Sequence, residues 1–213
     1  MNRIAIINYG MGNLHSIAKA LERVTDDAKI VITDRPYEVR AADRVVFPGV
    51  GASRDCMHEL RRCGLVDVVR ETAADRPFLG ICLGMQLLLD SSEENGGTET
   101  LGILAGGSRR FPEGLREGDE RLKIPHMGWN EVAATSPHPL WAGIPDRSRF
   151  YFVHSYYVVP QDPARTAATC RYGLDFTAAV SRDNLFAVQF HPEKSHRHGL
   201  QLLANFATWD GRS

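Results

Sequence analysis

The stretch Phe78-Leu79-Gly80-Ile81-Cys82-Leu83-Gly84-Met85-Gln86 constrains the fold of this chain more than any other. An apolar run passes into a helix-forming run, with a cysteine at the junction and a glycine two residues away on each side. This is the nucleophile-elbow pattern, a sharp strand-to-helix turn that presents a nucleophile at its apex. A turn this tight leaves no room for side chains beside the nucleophile, which is why glycine flanks it. The turn also sets the sulfur at a helix N-terminus, where unpaired N–H groups and the helix dipole favour thiolate over thiol. A buried cysteine in a packed turn gives the same short pattern, so a catalytic reading of Cys82 needs a second group.

That group stands more than a hundred residues further on. The apolar run Leu185-Phe186-Ala187-Val188-Gln189-Phe190 reads as a strand and ends in His191-Pro192-Glu193. A histidine at the carboxyl end of one buried strand can reach a cysteine at the carboxyl end of another in the same sheet. A cysteine nucleophile needs a base that holds it as thiolate and then protonates the leaving amine. Glu193, linked through the stiff Pro192, can orient the imidazole and stabilise the imidazolium. Taken alone, the same residues also describe a strand-ending histidine beside a surface glutamate. His196 and His198 invite a metal reading with His191, but no thiolate or carboxylate completes the set. The exposed start of the last helix accounts for them equally well.

The amino half alternates strand and helix. Met1-Asn2-Arg3 leads directly into a strand at Ile4–Ile7, and Ile30–Ile32, Arg44–Phe47 and the elbow strand opened by Pro77 follow. Helical patterns run through Ile17, Ala20, Leu21 and Val24, from about Arg54 to Leu60 and from about Leu65 to Thr72. A further helix is expected to carry Met85, Leu87, Leu88 and Leu89, with Gln86 on the face of Cys82 one turn on. Such alternation means a parallel sheet. The loop Asn8–Asn13 has two glycines but lacks the third of a dinucleotide fingerprint, and reads as a tight turn at a strand's carboxyl end. Pro48-Gly49-Val50-Gly51 can be a plain turn or can present backbone donors to an anion. Ser91–Gly97 reads as a surface loop.

From Leu101 onward short runs are divided by Gly and Pro. Strands are expected at Phe150–Val153, Tyr156–Val159 and Thr166–Thr169, in part antiparallel. The last helix runs from about Arg197 to Thr208, with Leu200, Leu203, Ala204 and Phe206 on or near one face. The fold class is therefore α/β, an open mixed, largely parallel sheet flanked by helices, with an antiparallel part in the carboxyl half. No repeat or linker divides the chain, and residues 1–213 are expected to form one domain.

Several function classes find no support. Formal charge is −1, and the pairs Arg61-Arg62 and Arg109-Arg110 stand isolated, so a nucleic-acid surface is not indicated. No apolar run is long enough to span a membrane, and the N-terminus lacks signal-peptide architecture. Cys56, Cys63, Cys82 and Cys170 match neither a disulfide framework nor a zinc site. A reducing, cytoplasmic setting is expected, and it suits a working thiolate.

Gly80-Ile81-Cys82-Leu83-Gly84 together with His191-Pro192-Glu193 resembles the class I (triad) glutamine amidotransferases. Asn8–Leu14, Pro48–Gly51, Pro125-His126-Met127-Gly128-Trp129-Asn130 and His191–Ser195 look like the branch of that family that serves histidine biosynthesis. The resemblance covers essentially the whole chain and implies a flavodoxin-like amidotransferase domain that works without cofactor or metal. It implies that Cys82 attacks the side-chain amide of L-glutamine, that His191 protonates ammonia and activates water, and that Glu193 orients His191. It places the oxyanion donors at the N–H of Leu83 and of Val50 or Gly51, in a loop that stays misoriented until a partner binds. It assigns substrate binding to Gly49, Gln86, Glu94, His154, Ser155 and Tyr156, with Glu94 pairing with the substrate ammonium and His154–Tyr156 at its carboxylate end. The implied partner is a cyclase subunit, a (β/α)8 barrel, met in a heterodimer through Met127, Trp129, Tyr151 and Lys194. Arg54, Cys56 and His196 depart from the family pattern. Other readings of the same residues are a glutaminase subunit for pyridoxal phosphate or anthranilate synthesis, an elbow-cysteine peptidase or stress-response hydrolase, and a pseudoenzyme.

Overall fold

The computed structural model describes residues 2–212; Met1, expected ahead of the first strand, lies outside the described residues. Short, mainly apolar runs form β1 (Asn2–Ile7), β3 (Arg44–Gly49) and β4 (Phe78–Cys82), with β2 (Ala28–Thr33) at the edge of the sheet. The segments between them form α1 (Leu14–Val24), α2 (Pro36–Arg40), α3 (Ser53–Arg62) and α4 (Val66–Asp75). Side chains alternate across these strands. Ile4, Ile6, Val46, Leu79 and Ile81 thus join one apolar cluster with residues of α1, and Val45, Phe47 and Phe78 join the other with residues of α3 and α4. A fully buried side chain of this size contributes about 1.5–3 kcal/mol.

Cys82 closes β4, and a single turn, α5 (Leu83–Gln86), follows it. The longer helix expected through Leu89 does not form. The carbonyls of Leu87, Leu88 and Leu89, which would continue it, instead accept the N–H groups of Leu101, of Ile103 and Leu104, and of Gly102. All three leucines are buried under that returning segment. The expected surface loop at Ser91–Gly97 holds the short strand β5 (Ser91–Ser92) and a 3-10 turn, Glu94–Gly96, before β6 (Thr98–Glu99).

Strands dominate the carboxyl half: β7 (Gly106–Arg110), the small pair β8 (Arg116–Glu117) and β9 (Glu120–Arg121), β10 (His126–Ala134), β11 (Ser148–His154), β12 (Tyr156–Pro160), β13 (Thr166–Tyr172), β14 (Leu174–Arg182) and β15 (Leu185–Val188). A 3-10 turn at Pro192–Lys194 then leads into α6 (His196–Thr208). β15 ends two residues earlier than its apolar run. α6 buries Gly199, Leu202, Leu203, Phe206 and Ala207. Leu200 and Ala204, expected on that face, lie at its half-buried margin.

The main path of the sheet is β2-β1-β3-β4-β15-β14-β12-β7-β5-β6, with β13 paired to β14 and to β10, and β10 to β11. Its first five strands are parallel, and β14, β12 and β7 continue it antiparallel. β15 lies directly against β4, with Leu185 opposite Phe78 and Val188 opposite Ile81. The residues after Cys82 and those after Val188 therefore leave the sheet at one edge, where ligands sit in open α/β sheets.

Candidate active site

Cys82 has φ 55° and ψ −114°, outside the regions an L-residue favours. Such a conformation costs about 1–3 kcal/mol and persists only where the surroundings impose it. The neighbours explain both flanking glycines. A Cβ on Gly84 would stand 2.0 Å from the Phe47 carbonyl oxygen, and one on Gly80 would stand 2.8 Å from the Ala187 Cβ. Glycine at these positions lets α5 settle on β3 and lets β15 close on β4.

Cys82 lines a pocket of about 360 Å³. The same pocket is lined by Val50, Gly51, Leu83, Gln86, Glu94, His154, Ser155, Tyr156 and His191, all named from sequence, and by Pro125 and Val153, which were not. Gly49 lies behind the wall, where a Cβ would press on the Gly84 nitrogen and the Tyr9 hydroxyl, each at 2.8 Å. The Asn8–Asn13 loop does not reach the pocket; it buttresses the surrounding chain instead.

His191 Nδ1 lies 2.8 Å from Glu193 Oε1, and both side chains are buried. The carboxylate sets the tautomer, with the proton on Nδ1. Asn13 Nδ2 reaches the same Oε1 at 3.5 Å, a contact the sequence did not announce. Burial by itself lowers the imidazole, but the Cys82 sulfur and the Glu193 carboxylate outweigh it and raise the ring to about 10. Among the described residues Nε2 has no hydrogen-bond partner, which leaves it for the sulfur and for a ligand. Ser195 fixes the backbone here. Its hydroxyl donates to the His191 carbonyl at 2.6 Å and accepts the Tyr151 N–H at 3.0 Å, while the His191 N–H donates to the Tyr151 carbonyl at 2.9 Å.

The Pro48–Gly51 loop is held from behind. Buried Tyr9 donates its hydroxyl to the Pro48 carbonyl at 2.8 Å, and the Cys56 thiol donates to the Val50 carbonyl at 3.4 Å. Burial pushes Cys56 up to about 11, so it remains a thiol and a donor at neutral pH. The Val50 carbonyl thus turns toward α3. The Gly51 N–H, on the opposite edge of the same planar peptide, points away from it. Glu94 Oε2 accepts the Ser53 N–H at 2.7 Å, so its carboxylate both caps the start of α3 and lines the pocket.

Gln86 is buried and donates from Nε2 to the Tyr156 carbonyl at 3.1 Å and to Gln189 Oε1 at 3.0 Å. Gln189 was not singled out from sequence, yet its Nε2 lies 3.8 Å from the Cys82 sulfur. Its place two residues before His191 was the available signal. His191, His196 and His198 do not converge. The ring of His196 stacks on Trp129 at 4.7 Å, and His198 lies against Phe150.

Trp129 stands opposite Tyr151 across the β10–β11 pair, their rings 6.1 Å apart, and Lys194 lies 5.8 Å over the Tyr151 ring. Met127 is 62% exposed and Trp129 36% exposed, so this cluster presents apolar surface to solvent.

An elbow cysteine at the carboxyl edge of such a mixed sheet, with a histidine just beyond the adjacent parallel strand, is an arrangement that fits the class of glutamine amidotransferases. The family model "Glutamine amidotransferase class-I" matches residues 5–209, and the chain belongs to that family. The chain is 61% identical over 212 residues to imidazole glycerol phosphate synthase subunit HisH of Methylococcus capsulatus, covering 99% of this chain and 98% of that one. To the subunit of the same name from Pseudomonas putida it is 59% identical over 212 residues, covering 100% of both. Among solved structures, PurLQS from Thermotoga maritima superposes with a TM-score of 0.70 at 15% identity, covering 96% of this chain and 97% of that one, a likeness of fold alone.

Proposed function

We propose that this chain is the glutaminase subunit of an imidazole glycerol phosphate synthase. It hydrolyses L-glutamine to L-glutamate and ammonia and passes the ammonia to a cyclase subunit in histidine biosynthesis. The observation that carries the reading is the 2.8 Å His191–Glu193 pair set behind Cys82 on adjacent strands. End-to-end similarity to subunits named HisH supports the pathway.

The Cys82 thiolate attacks the glutamine amide carbon. The tetrahedral oxyanion accepts N–H groups from Leu83 and from Val50 or Gly51, donors worth about 3 kcal/mol each in a transition state. The C–N bond breaks as His191 delivers a proton to the departing ammonia, which leaves a γ-glutamyl thioester. His191 then takes a proton from water. The resulting hydroxide attacks the thioester, the C–S bond breaks, and glutamate leaves with the thiolate restored. Glu193 holds the imidazole in the tautomer that both steps need. Glu94 has one oxygen on α3 and uses the other for the substrate ammonium, next to Gln86. His154, Ser155 and Tyr156 face the carboxylate end, and Gly49 leaves space for the loop beside α5.

Ammonia released into water at neutral pH would be protonated and lost as a nucleophile, so it is handed on directly. The receiving partner is a (β/α)8-barrel cyclase in a heterodimer, docked on Met127, Trp129, Tyr151 and Lys194. It adds the ammonia to an aminoimidazole-carboxamide ribonucleotide that carries a second, phosphosugar arm; the arm and the ammonia nitrogen leave as imidazole glycerol phosphate, and the rest is released as aminoimidazole-carboxamide ribonucleotide. Residues 1–213 act as one amidotransferase domain in the cytoplasm; among the described residues no helix is long and apolar enough to cross a membrane.

Glutamine hydrolysis measured with and without the cyclase tests the reading. Weak hydrolysis by the chain alone, strongly stimulated by cyclase and nucleotide, is expected. No hydrolysis in either case overturns the assignment, and full activity alone overturns the misoriented-loop reading.

A further inference from the structure

We infer that Gln189 is the side-chain donor that holds the Cys82 sulfur, aimed by Gln86, whose own amide is fixed by the Tyr156 carbonyl. The inference rests on the proposed role of Cys82 as nucleophile.

Gln189 is fully buried, and a buried amide can present either its oxygen or its nitrogen to a neighbour. Only the nitrogen stabilises a thiolate. The surroundings fix which end faces Cys82. Gln189 Oε1 lies 3.0 Å from the Gln86 amide nitrogen, which can only donate, and this leaves Gln189 Nε2 toward the sulfur at 3.8 Å. Gln86 is fixed in turn, because its nitrogen also lies 3.1 Å from the Tyr156 carbonyl. Both of its N–H groups are thereby committed.

The Tyr156 carbonyl is a double acceptor, and a second set of donors reaches it from β10. The Tyr156 carbonyl also faces His154 Nδ1 at 2.8 Å, so His154 carries its proton there and accepts at Nε2. That Nε2 lies 2.9 Å from His126 Nδ1, which must donate, and His126 Nε2 then accepts from Asn130 Nδ2 at 3.2 Å. The scheme requires both rings to be neutral. Burial lowers His126 to about 4 and is the largest cause that lowers His154 to about 3. Asn130 and His126 belong to β10, which exposes Met127 and Trp129. The parallel register places Val188 beside Ile81, so Gln189 comes next to Cys82. The titratable groups around the sulfur are His191 after β15, Tyr9 after β1 and Cys56 on α3.

The test is the pH dependence of Cys82 alkylation by iodoacetamide in the full chain, read on the Cys82 peptide by mass spectrometry. Gln189→Met keeps the length of the side chain and removes the donor. It should raise the alkylation midpoint by about one pH unit, the scale of a hydrogen bond to a charged group. Gln86→Met, which frees the Gln189 amide to turn, should raise it by less. In the complex with the cyclase, Gln189→Met should lower kcat for glutamine about tenfold with little change in KM. An unmoved midpoint in Gln189→Met overturns the inference. Should that variant not fold, the uncharged Gln189→Leu is read in its place: a higher midpoint supports the inference and an unchanged one overturns it. Alkylation needs no glutamine, so a shifted midpoint in a chain without glutaminase activity strikes at the proposed function and leaves this inference standing.

Discussion

The Cα of Gly84 sits so close to the carbonyl oxygen of Phe47 that a methyl group there would come within 2.0 Å of it. The obstacle is backbone in a central strand and cannot swing aside. Gly84→Ala must therefore push α5 off β3 and carry the Leu83 N–H with it. We expect a loss of about 2–3 kcal/mol, a melting temperature lower by about 6–10 °C, and glutaminase activity below detection. Thermal unfolding monitored by circular dichroism checks it, and a variant as stable as the parent contradicts the packing argument.

Cys82→Ala removes the sulfur and keeps the fold. In complex with the cyclase, glutamine-dependent synthesis should fall to background while synthesis from added ammonium continues. Loss of both activities would assign Cys82 a structural role.

Glu193→Gln replaces a buried carboxylate with an amide of the same shape. The imidazolium loses its counter-charge and the tautomer is no longer enforced, and kcat should fall by about 10³–10⁴. Steady-state kinetics in the complex measure this, and a fall of less than about tenfold would leave Glu193 without its orienting role.

Histidines pull stability in opposite directions with pH. His191 is raised from 6.5 to about 10, so its contribution is fully present below about pH 6.5 and is lost as pH rises through about 10. His126 and His138 are lowered by burial to about 4, and His154 to about 3. Their neutral forms stabilise above about pH 6.5, and that contribution is lost as pH falls through these values. Melting temperature should peak near neutrality and decline on both sides. His191→Gln should flatten the alkaline flank and leave the acid flank in place, whereas an unchanged alkaline flank would show that the His191 charge is not stabilised in the fold.

Tyr9→Phe deletes the hydroxyl that satisfies the Pro48 carbonyl behind the Gly49–Gly51 loop. A buried carbonyl left without its donor costs about 1–2 kcal/mol, or about 3–6 °C. Cys56→Ser keeps a donor toward Val50 and should change stability less. Denaturant titration of the two variants side by side decides between them.

Cys82 with its glycines and His191-Pro192-Glu193 could be read from sequence because tight turns restrict residue type and because the two motifs end apolar runs. The inner parallel strands could be read because burial on both faces leaves short, unbroken apolar runs such as Ile4–Ile7 and Val45–Phe47. The helix drawn through Leu89 failed because buried leucines look alike in a helix and in a packed turn. Only the returning segment at Leu101–Leu104 decides between them. β10 was missed because Gly128, at φ 131°, breaks its apolar alternation. Gln189 had only its place two residues before His191 to mark it, and the contact of Asn13 with Glu193 is made across the fold, 180 residues apart in the chain.

The insertion of β15 beside β4 has a consequence for how the molecule comes into being. On a ribosome the thiol emerges long before β15, and β4 and β15 pair across more than a hundred residues of chain. Closing so long a loop is slow. A nascent chain with its first four strands in place therefore holds Cys82 without His191 and Glu193, and the three come together only with the last stretch of polypeptide.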